Sequence, residues 1–104
     1  MLNINMEYNS GILFVRLKGS LNKLTTYKLK NKLFPIIKFN GIKNLVYNLE
    51  YLNYIDEEGF KTLLLGYDEI INNNGNVLIV NNKFNLKYFK EVNNELSALK
   101  ILKV

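Results

Sequence analysis

Residues 44–80 have the sequence NLVYNLEYLNYIDEEGFKTLLLGYDEIINNNGNVLIV, and they contain a strand, a helix and a second strand in turn. Residues 44–49 are short and largely apolar, as expected for a buried central strand. Residues 57–73 carry apolar side chains at spacings of three and four, which predicts a helix with one buried face. These side chains are Phe60, Leu63, Leu64, Tyr67, Ile70 and Ile71. Gly75 is a typical helix stop, and residues 77–80 are an uninterrupted apolar strand.

The chain before this stretch begins with a predicted β-hairpin. Leu2, Ile4 and Met6 alternate with polar residues, residues 9–11 are Asn-Ser-Gly, and residues 12–17 are largely apolar. Alternation followed by a turn signal and a second apolar run is typical of two antiparallel strands.

A first helix is predicted over residues 25–37, because apolar residues again recur at helical spacing there. They are Leu29, Leu33, Ile36 and Ile37. Thr25 is available as the N-cap. Pro35 lies inside this segment and lacks the backbone N–H, so we expect the helix to kink or end near Phe34.

The C-terminal part of the chain is predicted to contain a short third helix and a last strand. The helix is predicted from Leu86, Phe89 and Val92, and the strand from the alternation of Leu99, Ile101 and Val104. The order is then β-β-α-β-α-β-α-β. Strands that alternate with helices make right-handed crossovers between parallel strands. We therefore expect one α/β domain over residues 1–104, with a mixed four- to five-stranded sheet, an N-terminal hairpin and about three helices.

The composition excludes several kinds of active site. The 104 residues include neither cysteine nor histidine, which removes the thiolate nucleophile, the commonest general base and the commonest metal ligands. Asp56, Glu57 and Glu58 could form a catalytic carboxylate site, but acids at a helix start more often stabilise the helix. We therefore expect a protein that is not an enzyme and that needs no metal or cofactor.

The distribution of charge and apolar residues bears on partners and location. The formal net charge is +5, but the basic residues are scattered from Arg16 to Lys103, so a nucleic-acid partner is not expected. The start of the chain lacks the features of a signal peptide, and no apolar run is long enough to enter a membrane. These observations predict a cytoplasmic protein.

Two segments follow the carboxyl ends of strands that are predicted to be adjacent and parallel, so we expect them to converge. One is residues 19–25, which lead into the first helix, and the other is residues 51–59, which lead into the second. Asp56 is placed to cap the second helix, and Glu57 and Glu58 lie at the positive end of its dipole. The candidate partner-binding residues are Ser20, Asn22, Thr25, Asp56, Glu57, Glu58 and Gly59.

Residues 15–22, 45–49, 54–60 and 75–80, together with Thr25, make the sequence similar to the STAS domains of bacterial anti-sigma factor antagonists. The resemblance covers nearly the whole chain in the right order. It implies a partner-switching role, in which the antagonist binds an anti-sigma factor that is also a serine kinase. Phosphorylation of a serine at the start of the second helix then breaks the complex.

The sequence departs from the family pattern at both segments. The family has Asp-Ser-Ser-Gly or Asp-Ser-Thr-Gly where this chain has residues 56–59, so the phosphoacceptor position is Glu57. The family also usually has an acidic residue at the place of Ser20 and an aspartate at the place of Asn22. We therefore expect a surface that is not switched by serine phosphorylation at the usual site. The alternative is a non-catalytic subunit docked permanently in a stress-sensing or transporter complex.

The family commonly has a further helix after the last strand. This chain ends at Val104, so a sheet face or edge is expected to be exposed, and an exposed edge invites pairing with another chain. The sequence leaves the oligomeric state open.

Overall fold

The computed structural model describes residues 1–102 and contains five strands and three helices. The elements in chain order are β1 (Leu2–Asn9), β2 (Ile12–Leu21), α1 (Thr26–Asn40), β3 (Asn44–Ile55), α2 (Glu57–Asn72), β4 (Asn76–Val80), β5 (Lys90–Val92) and α3 (Glu95–Leu102). None of the helices within residues 1–102 is both long and apolar enough to cross a membrane.

The sheet has the strand order β1-β2-β3-β4-β5. β1 is antiparallel to β2, and every later neighbour is parallel, with Val15 beside Tyr47 and Tyr47 beside Ile79. The predicted α/β fold with a mixed sheet and an N-terminal hairpin is therefore confirmed. Because β2, β3 and β4 are parallel, the carboxyl ends of all three meet at one edge of the molecule.

Helices cover both faces of the sheet. α1 and α2 bury Leu29, Leu33, Leu63 and Ile70 against alternate side chains of the strands. α3 buries Ala98 and Leu102 against the opposite face of the sheet. The intervening side chains of the strands point toward that face. Strands buried on both faces have continuous apolar runs, which explains the sequences of β2, β3 and β4.

Tyr47 fixes α2 on the first face. Its side chain is fully buried, and its hydroxyl donates a hydrogen bond to the Leu63 carbonyl oxygen at 3.1 Å. The hydroxyl lies where a Cβ of residue 66 would stand, so only glycine fits there. Burial raises the pKa of Tyr47, which keeps the phenol neutral.

The predicted third helix over residues 86–92 is wrong. Residues 90–92 form β5, and Tyr88 has a left-handed φ of 77°, which a helix excludes. Leu86 and Phe89 pack with the α1 and α2 side of the core, whereas Val92 packs with the α3 side. Because Phe89 and Val92 lie three apart but on opposite faces of the sheet, residues 86–92 do not form one helical stripe.

The predicted last strand is also wrong. Leu99 and Ile101 belong to α3, whereas Val104 lies outside the described residues. The buried residues of α3 are Ala98 and Leu102, which are four apart, and the Asn94 side chain accepts a hydrogen bond from the Ser97 N–H at 2.8 Å. α3 is thus a further helix after the last strand, and it covers the sheet face that we expected to be exposed.

α1 continues through Pro35 to Asn40, so of the kink or end predicted near Phe34, the end is wrong. Pro35 and Asn31 are both exposed. The Asn31 carbonyl, which loses its helical donor, can therefore be hydrated by water, and this lowers the cost of proline inside the helix.

An ion pair fastens the start of α3 to the sheet. The Arg16 guanidinium donates to both carboxylate oxygens of Glu95, from Nε at 2.8 Å and from Nη2 at 2.7 Å. Asn48 Nδ2 donates to the same carboxylate at 2.8 Å, and Glu7 Oε1 lies 2.9 Å from Arg16 Nη2. Bidentate pairing of this kind is stronger than a single contact. The Arg16 guanidinium, with help from Asn48, lowers the pKa of the Glu95 carboxyl.

Glu95→Gln is expected to lower the melting temperature at neutral pH by at least about 4 °C, because the charged pair that holds α3 is lost. The folded-state pKa of Glu95 lies below its ordinary value of 4.5, so its contribution is present above that pH and is lost as pH falls through the folded pKa. Thermal melts at neutral pH and at about pH 3 check this, since the gap between wild type and variant should narrow in acid. A gap that stays constant or widens would contradict the ion-pair account.

Candidate functional site

The two segments that sequence predicts to converge lie side by side. β2 runs to Leu21 and β3 runs to Ile55, with Ser20 paired to Tyr54 and Leu21 paired to Ile55. Residues 19–21 and 51–55 are therefore strand and not loop. Only residues 22–25 separate β2 from α1, and Asp56 alone separates β3 from α2. Short connections leave the start of each helix close to the strand end before it.

Asp56 joins the two segments. Its Oδ1 accepts the Gly59 N–H at 2.8 Å, as an N-cap does, and its Oδ2 accepts the Lys23 N–H at 3.0 Å. Its own N–H donates to the Leu21 carbonyl at 3.2 Å. The Gly59 N–H, and to a lesser extent the Lys23 N–H, lower the pKa of the Asp56 carboxyl. One carboxylate thus caps α2 and holds the β2–α1 connection against it.

Gly59 allows α2 to begin close to the end of β2. A Cβ at this position would collide with the backbone carbonyl oxygen of Leu21, which cannot rotate away as a flexible side chain could. The residue is buried, whereas its neighbours Glu57 and Glu58 are exposed. Glycine here is therefore a requirement of the close approach of helix to strand.

We expect Gly59→Ala to destabilise the fold by about 1–3 kcal/mol, the usual cost of overpacking. Alanine favours helix by up to about 1 kcal/mol over glycine, so the net loss measures the collision against that gain. Urea melts give the stability, and amide chemical shifts of residues 21–25 report whether the two segments have moved apart. A variant that is as stable as wild type and leaves these amide chemical shifts unchanged would show that the approach is not tight.

Thr25 occupies the N-cap position of α1, but its side chain makes no cap hydrogen bond to the helix, so the predicted capping role is wrong. Its Oγ1 donates to the Ser20 carbonyl at 2.9 Å and accepts the Asn22 N–H at 2.9 Å. The Asn22 side chain accepts the Leu24 N–H at 2.9 Å. These hydrogen bonds link residues within the β2–α1 connection and stabilise one backbone conformation.

Glu57 and Glu58 form the charged part of the surface. Their side chains are 80% and 53% exposed, and Lys61 Nζ lies 3.3 Å from a carboxylate oxygen of each. The contact with Glu57, followed in size by the contact with Glu58, raises the pKa of Lys61. Two negative charges therefore share one positive charge, and the helix start keeps a net negative character that a partner can meet.

Sequence reasoning did not identify two exposed apolar side chains in the segments that lead into α1 and α2. Leu24 is 73% exposed in the β2–α1 connection, and Tyr54 is 54% exposed next to Ser20 in the sheet register. Leu24 does not fit the spacing of the apolar residues of α1, and this exception could have indicated that its side chain is exposed. Exposed apolar and aromatic residues are typical centres of binding energy in protein interfaces.

The hydroxyl nearest to this helix start on α2 is not accessible. Thr62 is 2% exposed, and its Oγ1 donates to the Glu58 carbonyl at 2.9 Å. No hydroxyl occurs within residues 56–59. The start of α2 thus offers carboxylates and no accessible hydroxyl, and carboxylates suit contact with another protein.

The sequence matches a known domain family. The family model of the STAS domain matches residues 3–91. The chain belongs to the STAS domain family. Its resemblance to anti-sigma factor antagonists is therefore confirmed.

Individual relatives agree with this assignment. An anti-sigma F factor antagonist from Paenibacillus polymyxa is 30% identical over 79 residues, which cover 76% of this chain and 67% of that protein. A solved anti-sigma factor antagonist from Mycobacterium paratuberculosis has a TM-score of 0.85 at 17% identity, with 100% of this chain and 96% of that chain covered. The phosphorylated form of SpoIIAA, a Bacillus cell fate determinant, has a TM-score of 0.74 at 16% identity, with 95% and 99% covered.

Proposed function

We propose that this chain is a non-catalytic regulator of the anti-sigma factor antagonist type. It binds a kinase-like anti-sigma factor through the start of α2 and the β2–α1 connection. The residues that form this surface are Ser20, Asn22, Thr25, Asp56, Glu57, Glu58 and Gly59. Sigma factors act on transcription in the cytoplasm, and we place the protein there.

The observation that carries this proposal is the bridge made by Asp56. Because the carboxylate bonds to Gly59 N–H and Lys23 N–H together, the two segments present one continuous surface rather than two independent loops. Preorganisation of this kind lowers the entropy cost of binding. The antagonist relatives share the fold and supply the class of partner.

Glu57 determines how the surface is regulated. One relative, SpoIIAA, exists in a phosphorylated form. A phosphoserine carries about −1.5 to −2 charge and three acceptor oxygens, whereas a glutamate carries one charge and two oxygens. Glu57 therefore acts as a permanent but partial substitute for the phosphate, which weakens the complex with the anti-sigma factor without abolishing it, and this chain stays in one binding state.

We expect incubation with an anti-sigma factor kinase and ATP to leave the tryptic peptide of residues 44–61 unmodified, because residues 56–59 lack a hydroxyl. Mass spectrometry of the digest checks this. The SpoIIAA protein, which accepts phosphate, serves as the positive control for the kinase. Phosphate on Tyr54 would show that the regulatory site has moved and would overturn the unregulated state.

A permanent subunit role is the second candidate, and the missing hydroxyl at position 57 favours it equally well. In that role the same surface docks on a larger assembly and is never released. Titration calorimetry with the purified anti-sigma F factor of Paenibacillus polymyxa separates the two candidates. Saturable one-to-one binding that competes with that organism's own antagonist supports the antagonist role, and an absence of binding supports the subunit role.

A further inference from the structure

β1 lies at the edge of the sheet and pairs only with β2 among residues 1–102. The Ser20 N–H donates to the Met1 carbonyl at 2.8 Å, so Met1 and Ser20 form a hydrogen-bonded pair. Such pairs alternate along an antiparallel ladder. The backbone N–H and C=O groups of Leu2, Ile4, Met6 and Tyr8 therefore point away from β2, toward the open edge.

This edge lacks the features that normally protect one. Edge strands are commonly blocked by lysine, by proline or by a bulge. β1 contains no lysine and no proline, and its eight pairs with β2 run without a shift in register. Another extended segment can therefore pair with it.

Two hollows lie between β1 and α1, along the face to which Leu2, Ile4 and Met6 point. The first has a volume of about 620 Å³, and the second has a volume of about 410 Å³. The first is lined by Leu2, Asn3, Ile4, Tyr27, Lys28, Asn31 and Lys32, and the second by Tyr8, Leu13, Ile36, Asn40 and Ile42. Side chains of a strand paired with β1 would project over these hollows, because paired residues share a face of the sheet.

The two hollows differ in chemistry. Lys28 and Lys32 make no ion pair within the part of the chain that the structure describes, and the sequence has no acidic residue between Glu7 and Glu50. The first hollow is therefore cationic. The second is lined largely by apolar side chains. A fitting strand carries carboxylates opposite Leu2 and Ile4 and apolar side chains opposite Met6 and Tyr8.

We propose that β1 and the basic side of α1 bind an extended acidic segment of a partner protein by β-strand addition. This surface is separate from the start of α2 and does not depend on the antagonist role. The backbone groups of the edge supply the hydrogen bonds, and the two hollows select the side chains.

Other occupants fit less well. In a symmetric antiparallel pair of two copies, the acid on β1, Glu7, would point to the opposite face, where it pairs with Arg16. A second copy thus brings no carboxylate to Lys28 and Lys32. A nucleic acid could neutralise the lysines, but phosphates donate no hydrogen bonds to the outward carbonyls of β1.

The test uses a capped, fluorescein-labelled peptide with the order valine, threonine, valine, threonine, glutamate, threonine, glutamate, threonine. In antiparallel register its glutamates lie opposite Leu2 and Ile4. Fluorescence anisotropy measures affinity, and amide exchange by NMR locates the contact. We expect the amides of Ile4, Met6 and Tyr8 to become protected, while those of Asn5 and Glu7, which already bond to β2, change little.

Variants test the charges and the edge separately. Lys28→Glu with Lys32→Glu should weaken binding by about tenfold or more. Lys90→Glu with Lys100→Glu changes the net charge equally, away from β1, and should leave binding unchanged. Ile4→Pro removes an outward N–H without a loss of β1–β2 hydrogen bonds, and it should abolish binding. A peptide N-methylated at both glutamates removes the reciprocal bonds, from the peptide N–H groups to the Leu2 and Ile4 carbonyls, and so tests the edge on the wild-type protein in case Ile4→Pro fails to fold.

Several results would overturn the proposal. They are absence of peptide binding, equal binding of a peptide with lysine for glutamate, and equal binding of the N-methylated peptide. Displacement of the peptide by single-stranded DNA would make the surface a nucleic-acid site instead. A dimer in analytical ultracentrifugation that Ile4→Pro dissociates would make a second copy the occupant.

Discussion

Leu63→Ala is expected to destabilise the fold by about 2–5 kcal/mol, the range for large-to-small changes in packed cores. Leu63 is 0% exposed in α2, and its carbonyl accepts the hydrogen bond from the buried Tyr47 hydroxyl. Leucine and alanine have similar helix propensities, so the loss measures burial and the cavity left behind. Urea melts followed by far-UV circular dichroism provide the measurement.

Leu65 is the matched control in the same helix. It is 46% exposed, so Leu65→Ala should cost much less, near the 0.5 kcal/mol typical of surface changes, or about 1 kcal/mol at most. Leu64, which is partly buried, should lie between the two. Equal losses for Leu63→Ala and Leu65→Ala would show that α2 presents a different face to the sheet.

Glu57→Ser is expected to strengthen binding to the purified anti-sigma F factor of Paenibacillus polymyxa by about 30-fold or more, on the scale of a desolvated charge contact. The substitution removes the phosphate-like charge and restores a hydroxyl at the helix start. Asp56 still caps α2, so the fold should be nearly unchanged. Titration calorimetry measures the affinity, and the same kinase should now phosphorylate this variant.

Glu69→Ser is the control for charge. It removes the same charge from the other end of α2 and should leave the affinity unchanged. Weaker binding by Glu57→Ser would mean that Glu57 is itself a contact. An unchanged affinity would show that Glu57 only stabilises the helix and that the partner binds elsewhere on the protein.

Most of the sheet and two helices were predictable because their side chains follow simple periods. Residues 57–73 show this for α2, although Ile71, the last member of the predicted stripe, is 42% exposed. The C-terminal elements were not predictable in this way. β5 has only three residues, and the predicted helix grouped Phe89, which packs in one core cluster, with Val92, which packs in the other. The buried residues of α3 are Ala98 and Leu102, and two positions are too few to show a helical period.

The candidate site was predictable only where side chains carry the signal. The cap by Asp56 follows from its position before a helix, and the convergence of the two segments follows from parallel strands. The bond from Asp56 to Lys23 uses a backbone N–H, which every residue except proline provides, so the residue type at position 23 does not predict it. The same reason explains Thr25, whose hydroxyl bonds to backbone groups of the preceding turn instead of the helix.

The position of α3 determines where this domain can be truncated without loss of its core. The family match ends at residue 91, four residues before α3 begins. A fragment that ended there would lose Ala98 and Leu102 and would expose Phe14, Val46 and Leu78 to water as one contiguous patch. Patches of that kind drive aggregation. A fragment that resists aggregation therefore has to extend through Leu102, although the part of the sequence that identifies the family stops earlier.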